Sequence, residues 1–220
     1  MPAVNEKAPD LEVAEWIGEA PGGIDRQCGR VVLVEVFQVN CPGCFIGGLP
    51  EAIGVYNKYK DRGLTVWGLA TAFEDFDKNN LGNLKKLLST GEVVGETLAY
   101  LSGQNILDGN RLQYRIPFPV AWDRIVQNDG IVREEEVEKI IRRDIAHFAL
   151  LSAREQELLR GEVGNYLKRK PYNTLTFDAY ELRGTPSSIL IDKKGILRYK
   201  LFGFGQGLET RVKTLLDEEL

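Results

Sequence analysis

Residues 31–52 read VVLVEVFQVNCPGCFIGGLPEA, and this stretch decides the fold. Its first seven residues, Val31 to Phe37, are β-branched or large and apolar, with Glu35 the one charge among them. A strand buried on both faces, as in a parallel sheet, carries such a near-continuous apolar run. Asn40 is expected to cap a following helix, with Pro42 in its first turn. Phe45, Ile46, Leu49, Ile53, Tyr56 and Tyr59 then recur at helical spacing. Gly47, Gly48 and Pro50 predict a kink in that helix, and Gly63 ends it. LTVWGLAT (64–71) reads as a second buried strand. Strand, helix and strand in this order imply a right-handed βαβ unit with parallel strands.

Working outward, residues 1–30 read as irregular, punctuated by Pro9, Pro21, Gly22, Gly23 and Gly29. Residues 79–103 read as one or two helices. FPVAW (118–122) is a short strand in which Pro119 demands an edge or a first position. Residues 132–170 are strongly helical in two parts, with Val137, Ile141, Ile145 and Phe148 on one face. SSILID (187–192), a Lys193-Lys194-Gly195 turn and ILRYKLF (196–202) predict a β-hairpin. LETRVKTLLDEEL closes the chain as an amphipathic helix, and Gly203, Gly205 and Gly207 form the turn before it.

The chain has 220 residues, 43% hydrophobic and 27% charged, a balance that supports a buried core. Its 28 Lys and Arg against 32 Asp and Glu give a net charge of −4, which argues against nucleic-acid binding, since that needs a concentrated basic face. One His and three Cys are too few for an ordinary zinc site, and a Ser-His-Asp hydrolase would rest on His147 alone. No basic and apolar leader pattern opens the sequence, and no apolar run is long enough to span a bilayer. The expectation is a cytoplasmic protein without membrane attachment, or an extracytoplasmic one had a leader been removed.

Cys41-Pro42-Gly43-Cys44 carries the chemistry. It follows a buried strand and opens a helix, so the first sulfur sits at the positive end of the helix dipole, where backbone N–H groups favour a thiolate. A thiolate is the nucleophile of disulfide exchange. Cys44, one turn deeper, is placed to attack a mixed disulfide and release product. The alternatives are half of a zinc site or two inert buried thiols, and only Cys28 and His147 offer further soft atoms. Arg183-Gly184-Thr185-Pro186 precedes the SSILID strand and by itself is an ordinary turn.

Taken together, these segments resemble the thioredoxin superfamily, in its TlpA/redoxin-like (AhpC/TSA-related) branch of thiol–disulfide oxidoreductases. The likeness runs through NEKAPDLEV (5–13), residues 31–52, LTVWGLAT (64–71), FPVAWD (118–123) and YELRGTPSSILIDKKGILRYKLFG (180–203). It implies a single α/β domain over residues 1–220. A central mixed β-sheet would be flanked by helices, with helical insertions at about 73–117 and 124–176. It implies that Pro186 is cis and faces the Cys pair, leaving the Thr185 backbone to receive a substrate strand. It also implies that Glu35, six residues before Cys41, is a buried proton relay with a raised pKa, where the alternative is a carboxylate at the sheet edge. Cys41 would attack a disulfide and Cys44 resolve it. The partners would be protein or small-thiol disulfides and a thiol reductant or oxidant, with no metal or organic cofactor. Asn40 stands where the family commonly has Trp, and Pro50 lies one residue later after Cys44 than in typical members.

Two rival functions remain. A peroxiredoxin-like peroxidase needs Pro-x-x-x-Thr-x-x-Cys, whereas Val34 and Gln38 stand at those offsets from Cys41. An interaction module without turnover would use the insertions to bind a partner. The apolar stripe from Val137 to Phe148 needs burial, and a two-fold homodimer is a common way to provide it. Cys28 reads as an incidental thiol and His147 as solvated. Phe45, Trp67, Phe118 and Trp122 read as core, with Phe45 also a wall of the site.

Overall fold

The N-terminal segment is more regular than its Pro and Gly content suggests. In the computed structural model, which describes residues 3–219, Val13–Ile17 forms strand β1 and Ile24–Gln27 a 3-10 turn. The run at 31–37 is strand β2 (Val31–Phe37), with all seven residues buried. Helix α1 (Leu49–Tyr59) follows the cysteine motif, and Gly63, at φ 91°, turns the chain into β3 (Leu64–Ala70). Next come α2 (Leu81–Thr90), α3 (Gly95–Ser102) and the small hairpin β4 (Leu107–Asp108) and β5 (Arg111–Leu112). Strand β6 (Val120–Asp123) returns to the main sheet.

The chain then forms β7 (Ile125–Gln127), α4 (Glu134–Asp144), α5 (Ala153–Arg169) and β8 (Tyr172–Thr174). It ends with α6 (Leu175–Ala179), the hairpin β9 (Ser187–Ile191) and β10 (Leu197–Phe202), and α7 (Leu208–Asp217). Two compact units result: one runs through Arg124 and resumes at Thr174, and the other is Ile125–Asn173.

In the first unit the sheet order is β1-β6-β3-β2-β9-β10. The β2–β3 and β3–β6 pairs are parallel and the other three antiparallel. Strand β2 lies in the interior of this mixed sheet, which explains its composition. Side chains alternate across a strand, so Val32, Val34 and Val36 enter a cluster with Trp67, Leu69, Phe177, Tyr180 and Ile189. Leu33, Glu35 and Phe37 face the other way. Each such apolar side chain contributes about 1.5–3 kcal/mol on burial. Pro119 lies just before β6, where its carbonyl accepts from Gly68 N at 2.9 Å, so the strand is interior and the proline stands outside it. Buried Asp123 accepts from Thr71 Oγ1 (2.8 Å) and from the backbone of Thr176 (3.0 Å) and Phe177 (3.3 Å). Together with Leu175 N donating to Arg124 O at 2.9 Å, it pins the chain on either side of the second unit.

The second unit pairs β7 with β8 and holds two charged helices. Helix α4 opens on Glu134, Glu135 and Glu136 and closes on Arg142 and Arg143, each sign at the favourable end of the dipole. It stops at Asp144, because β-branched Ile145 leaves the helical region (φ −119°, ψ 79°). The expected stripe is therefore divided: Val137 and Ile141 are buried in α4, while Phe148 begins a separate 3-10 turn. Arg160 of α5 pairs with Glu138 and lies 5.1 Å over the Phe148 ring. His147 is exposed. Among the described residues no helix is long and apolar enough to cross a membrane.

Candidate active site

Cys41 and Cys44 form a disulfide with their Cα atoms 5.4 Å apart. Cys41 is half-buried and Cys44 fully buried, so only the first is reachable from outside. The helix begins at Pro42, and Cys44 N points at Cys41 Sγ from 3.3 Å. That sulfur, not Asn40, therefore occupies the capping position. Asn40 is engaged elsewhere: its Oδ1 accepts from Glu96 N (2.7 Å), its Nδ2 donates to Asp75 Oδ2 (2.9 Å), and its own N donates to Asn79 Oδ1 (2.7 Å). It anchors the start of α3 beside the motif. A backbone N–H and the helix's positive end both act on Cys41, and both favour a thiolate there.

The kink expected from Gly47, Gly48 and Pro50 is a π-helical turn, Cys44–Gly48, closed by Leu49 N donating to Cys44 O. A π-turn takes up one more residue than α winding. It presents two glycine faces to neighbours that a side chain would strike. A Cβ on Gly47 would run into the Phe204 ring, and one on Gly48 would meet Glu35 Oε1 and come within 2.5 Å of Pro186 Cβ. The motif helix thus rests directly on the carboxyl below and the proline beside it.

Glu35 is fully buried in β2. Ser188 Oγ, across the antiparallel β2–β9 pair, donates to Glu35 Oε2 at 2.6 Å, while Oε1 has no partner. Burial lifts its pKa to about 8, the Ser188 hydrogen bond opposes the rise, and the nearby Glu51 charge adds to it. The edge-of-sheet alternative is not what the geometry shows, because β2 is interior. The Thr185–Pro186 peptide is cis. Thr185 O lies 3.6 Å from Cys41 Sγ, and Pro186 O accepts from Gly203 N at 2.9 Å. All five residues singled out in the sequence (Glu35, Cys41, Cys44, Thr185 and Pro186) thus belong to one site, in the first unit. Cys28 is a free, exposed thiol in a loop.

No family model matches the chain. A 75-residue stretch is 35% identical to Protein DipZ of Mycobacterium bovis and of Mycobacterium tuberculosis, which is 32% of this chain and only 11% of the length of those relatives. Solved structures match along almost the whole chain. Thioredoxin-like superfamily protein SPOA0173 is 26% identical, covering 97% of this chain and 98% of that one, with a TM-score of 0.60. The chain has the fold of these thioredoxin-like structures. A thiol-disulfide isomerase from Corynebacterium glutamicum is 25% identical over 98% of both chains, with a TM-score of 0.57. A thioredoxin-like protein solved in its oxidised form shares the fold at 17% identity over 98% of both chains and a TM-score of 0.54.

Within this thioredoxin-like site, three residues escaped the sequence reading and a fourth, Gly48, was read only in part. Ser188 sits in a strand whose partner is settled only by sheet pairing. Gly48 signalled a kink but not its two neighbours. Phe204, in the Gly203-Phe204-Gly205 turn, is 45% exposed and packs beside the Cys pair, its ring within 4.0 Å of a Cβ on Gly43. Tyr114 donates its hydroxyl to Phe45 O at 2.8 Å. Phe45 itself is fully buried and stacks edge-to-face on Phe37, 6.4 Å between ring centres. It is core rather than a wall of the site.

Proposed function

We propose that this chain catalyses thiol–disulfide exchange, with protein disulfides as substrates. The Cys41 thiolate attacks one sulfur of the substrate disulfide, forming a mixed disulfide and releasing the other sulfur as a thiolate. The Cys44 thiol passes its proton to Glu35 and attacks Cys41 Sγ. The second substrate sulfur then leaves as a thiolate. The substrate has gained two electrons and the Cys41–Cys44 pair has lost two, which a dithiol reductant must return. Run backwards, the same steps oxidise a dithiol substrate. Thr185 offers its backbone to the substrate strand next to Cys41, and Pro186 fixes that loop against the motif. A carboxyl titrating near 8 is suited to this relay, because it releases and accepts a proton close to working pH.

The single observation that carries this reading is the asymmetry of the pair. Cys41 is reachable and capped by a backbone N–H, while Cys44 is buried on the turn whose Gly48 touches Glu35. Incubating reduced Cys44→Ser protein with a disulfide-bonded protein substrate tests it. The expected result is a stable mixed disulfide through Cys41. Linkage through Cys28 instead would overturn the assignment.

A further inference from the structure

The π-turn beneath the cysteines leaves one backbone group that the helix cannot serve. In regular α winding Leu49 N would donate to Phe45 O, four residues back. Here Leu49 N donates to Cys44 O, as a π-turn requires. The next donor in the π pattern would come from residue 50, five residues after Phe45. Residue 50 is proline and has no N–H. Phe45 O is therefore passed over by Leu49 and unreachable by Pro50, inside a segment where Cys44, Phe45, Gly47 and Gly48 are buried. A buried carbonyl without a donor costs about 1–3 kcal/mol. The group that serves it is the Tyr114 hydroxyl at 2.8 Å, from the segment leading into β6 and 69 residues away in sequence. Burial raises the Tyr114 pKa above its ordinary value, so the phenol stays protonated and remains a donor across the pH range in which thiols exchange.

We propose that Tyr114 is a positioning residue for the resolving cysteine, holding the π-turn of Cys44–Gly48 open by supplying the hydrogen bond that Pro50 cannot. This rests on the exchange reading above. Without the hydroxyl, Phe45 O recovers a donor only if Leu49 N swings back to it, which closes the π-turn to α winding. That change moves the register after Phe45 by one residue and takes Gly48 off the place between Glu35 and Pro186, where no other residue fits. Cys44, at the head of the turn, is displaced with it, while Cys41, outside the turn, is not.

The test follows reduced protein reacting with excess DTNB. The Cys41 thiolate displaces one thionitrobenzoate to form a mixed disulfide. Cys44 then displaces the second thionitrobenzoate and closes the Cys41–Cys44 disulfide. Removing Cys28 beforehand (Cys28→Ser, a free loop residue) keeps its thiol out of the count. For Tyr114→Phe the account expects the second phase to slow about three- to tenfold, the range of one net hydrogen bond, with the first phase unchanged within about twofold. A general loss of stability would not change the ratio of the two phases. In a Pro50→Ala background, which restores an N–H at residue 50, Tyr114→Phe should slow the second phase by less than twofold. An unchanged second phase, or equal slowing in both backgrounds, would overturn the role of Tyr114. Wild-type protein that shows no second phase at all would instead refute the exchange reading on which it rests.

Discussion

Strand β2 and helix α5 show two ways of holding a chain together. Every residue of β2 is buried, including a carboxylic acid, and its neighbours on both sides are strands. No residue of α5 is buried over its 17 positions. The helix relies on local devices instead: Ser152 and Glu155 form a reciprocal capping box, and Lys168 and Arg169 close its last turn. The first arrangement resists change and can hold a carboxyl far from its ordinary pKa. The second tolerates change, and its Glu155 carboxyl is held below the usual carboxylate range only by the exposed Ser152 cap. The acid of the candidate site lies in the first arrangement, because burial disfavours its charged form and raises its pKa.

The largest effect expected from this contrast is on stability. Phe37→Ala, which empties a fully buried ring site in β2 against Phe45, should destabilise the protein by about 3–5 kcal/mol. Leu158→Ala in α5, where the side chain is 60% exposed, should stay within about 0.5 kcal/mol. Denaturant unfolding of the two variants measures both, and similar losses would erase the distinction.

A smaller effect appears in pH dependence. Glu35 has its pKa raised from 4.5 to about 8. Between those values the folded protein keeps a proton that the unfolded chain releases, so the contribution of Glu35 to stability falls as pH rises across that window and levels off above it. Glu35→Gln should flatten that slope in oxidised protein and also remove the rise of the resolving rate through pH 8. A slope that survives the substitution would assign it to another group.

The smallest effect concerns the local devices. Ser152→Ala should cost about 1 kcal/mol, the usual worth of an N-cap, and hydrogen exchange should speed up at the start of α5 while β2 amides keep their protection. Loss of protection in β2 would mean that the two regions are more tightly coupled than their construction implies.

How much of this was legible in the sequence follows the same division. Strand β2, the helix after Cys41 and the β9–β10 hairpin could be read because each carries its pattern within a short window. Strand β1 could not: VAEWI mixes polar and apolar residues and becomes a strand only by pairing with β6, more than a hundred positions away. The two cysteines announced the site, and the kink announced itself through Gly47, Gly48 and Pro50. What satisfies the kink did not, since Tyr114 approaches from a segment with no motif. Asn40 looked like a cap because Asn suits an N-cap and Pro42 the first turn after it, yet Asp75 and the start of α3 compete for its side chain and prevail.

Reduction of insulin by catalytic amounts of protein with a dithiol reductant puts the central claim to its most direct test. The account predicts turnover by the wild type, loss of essentially all of it in Cys41→Ser, and preserved turnover in Cys28→Ser. Undiminished turnover in Cys41→Ser, or no turnover by folded wild-type protein in either redox direction, would contradict the account.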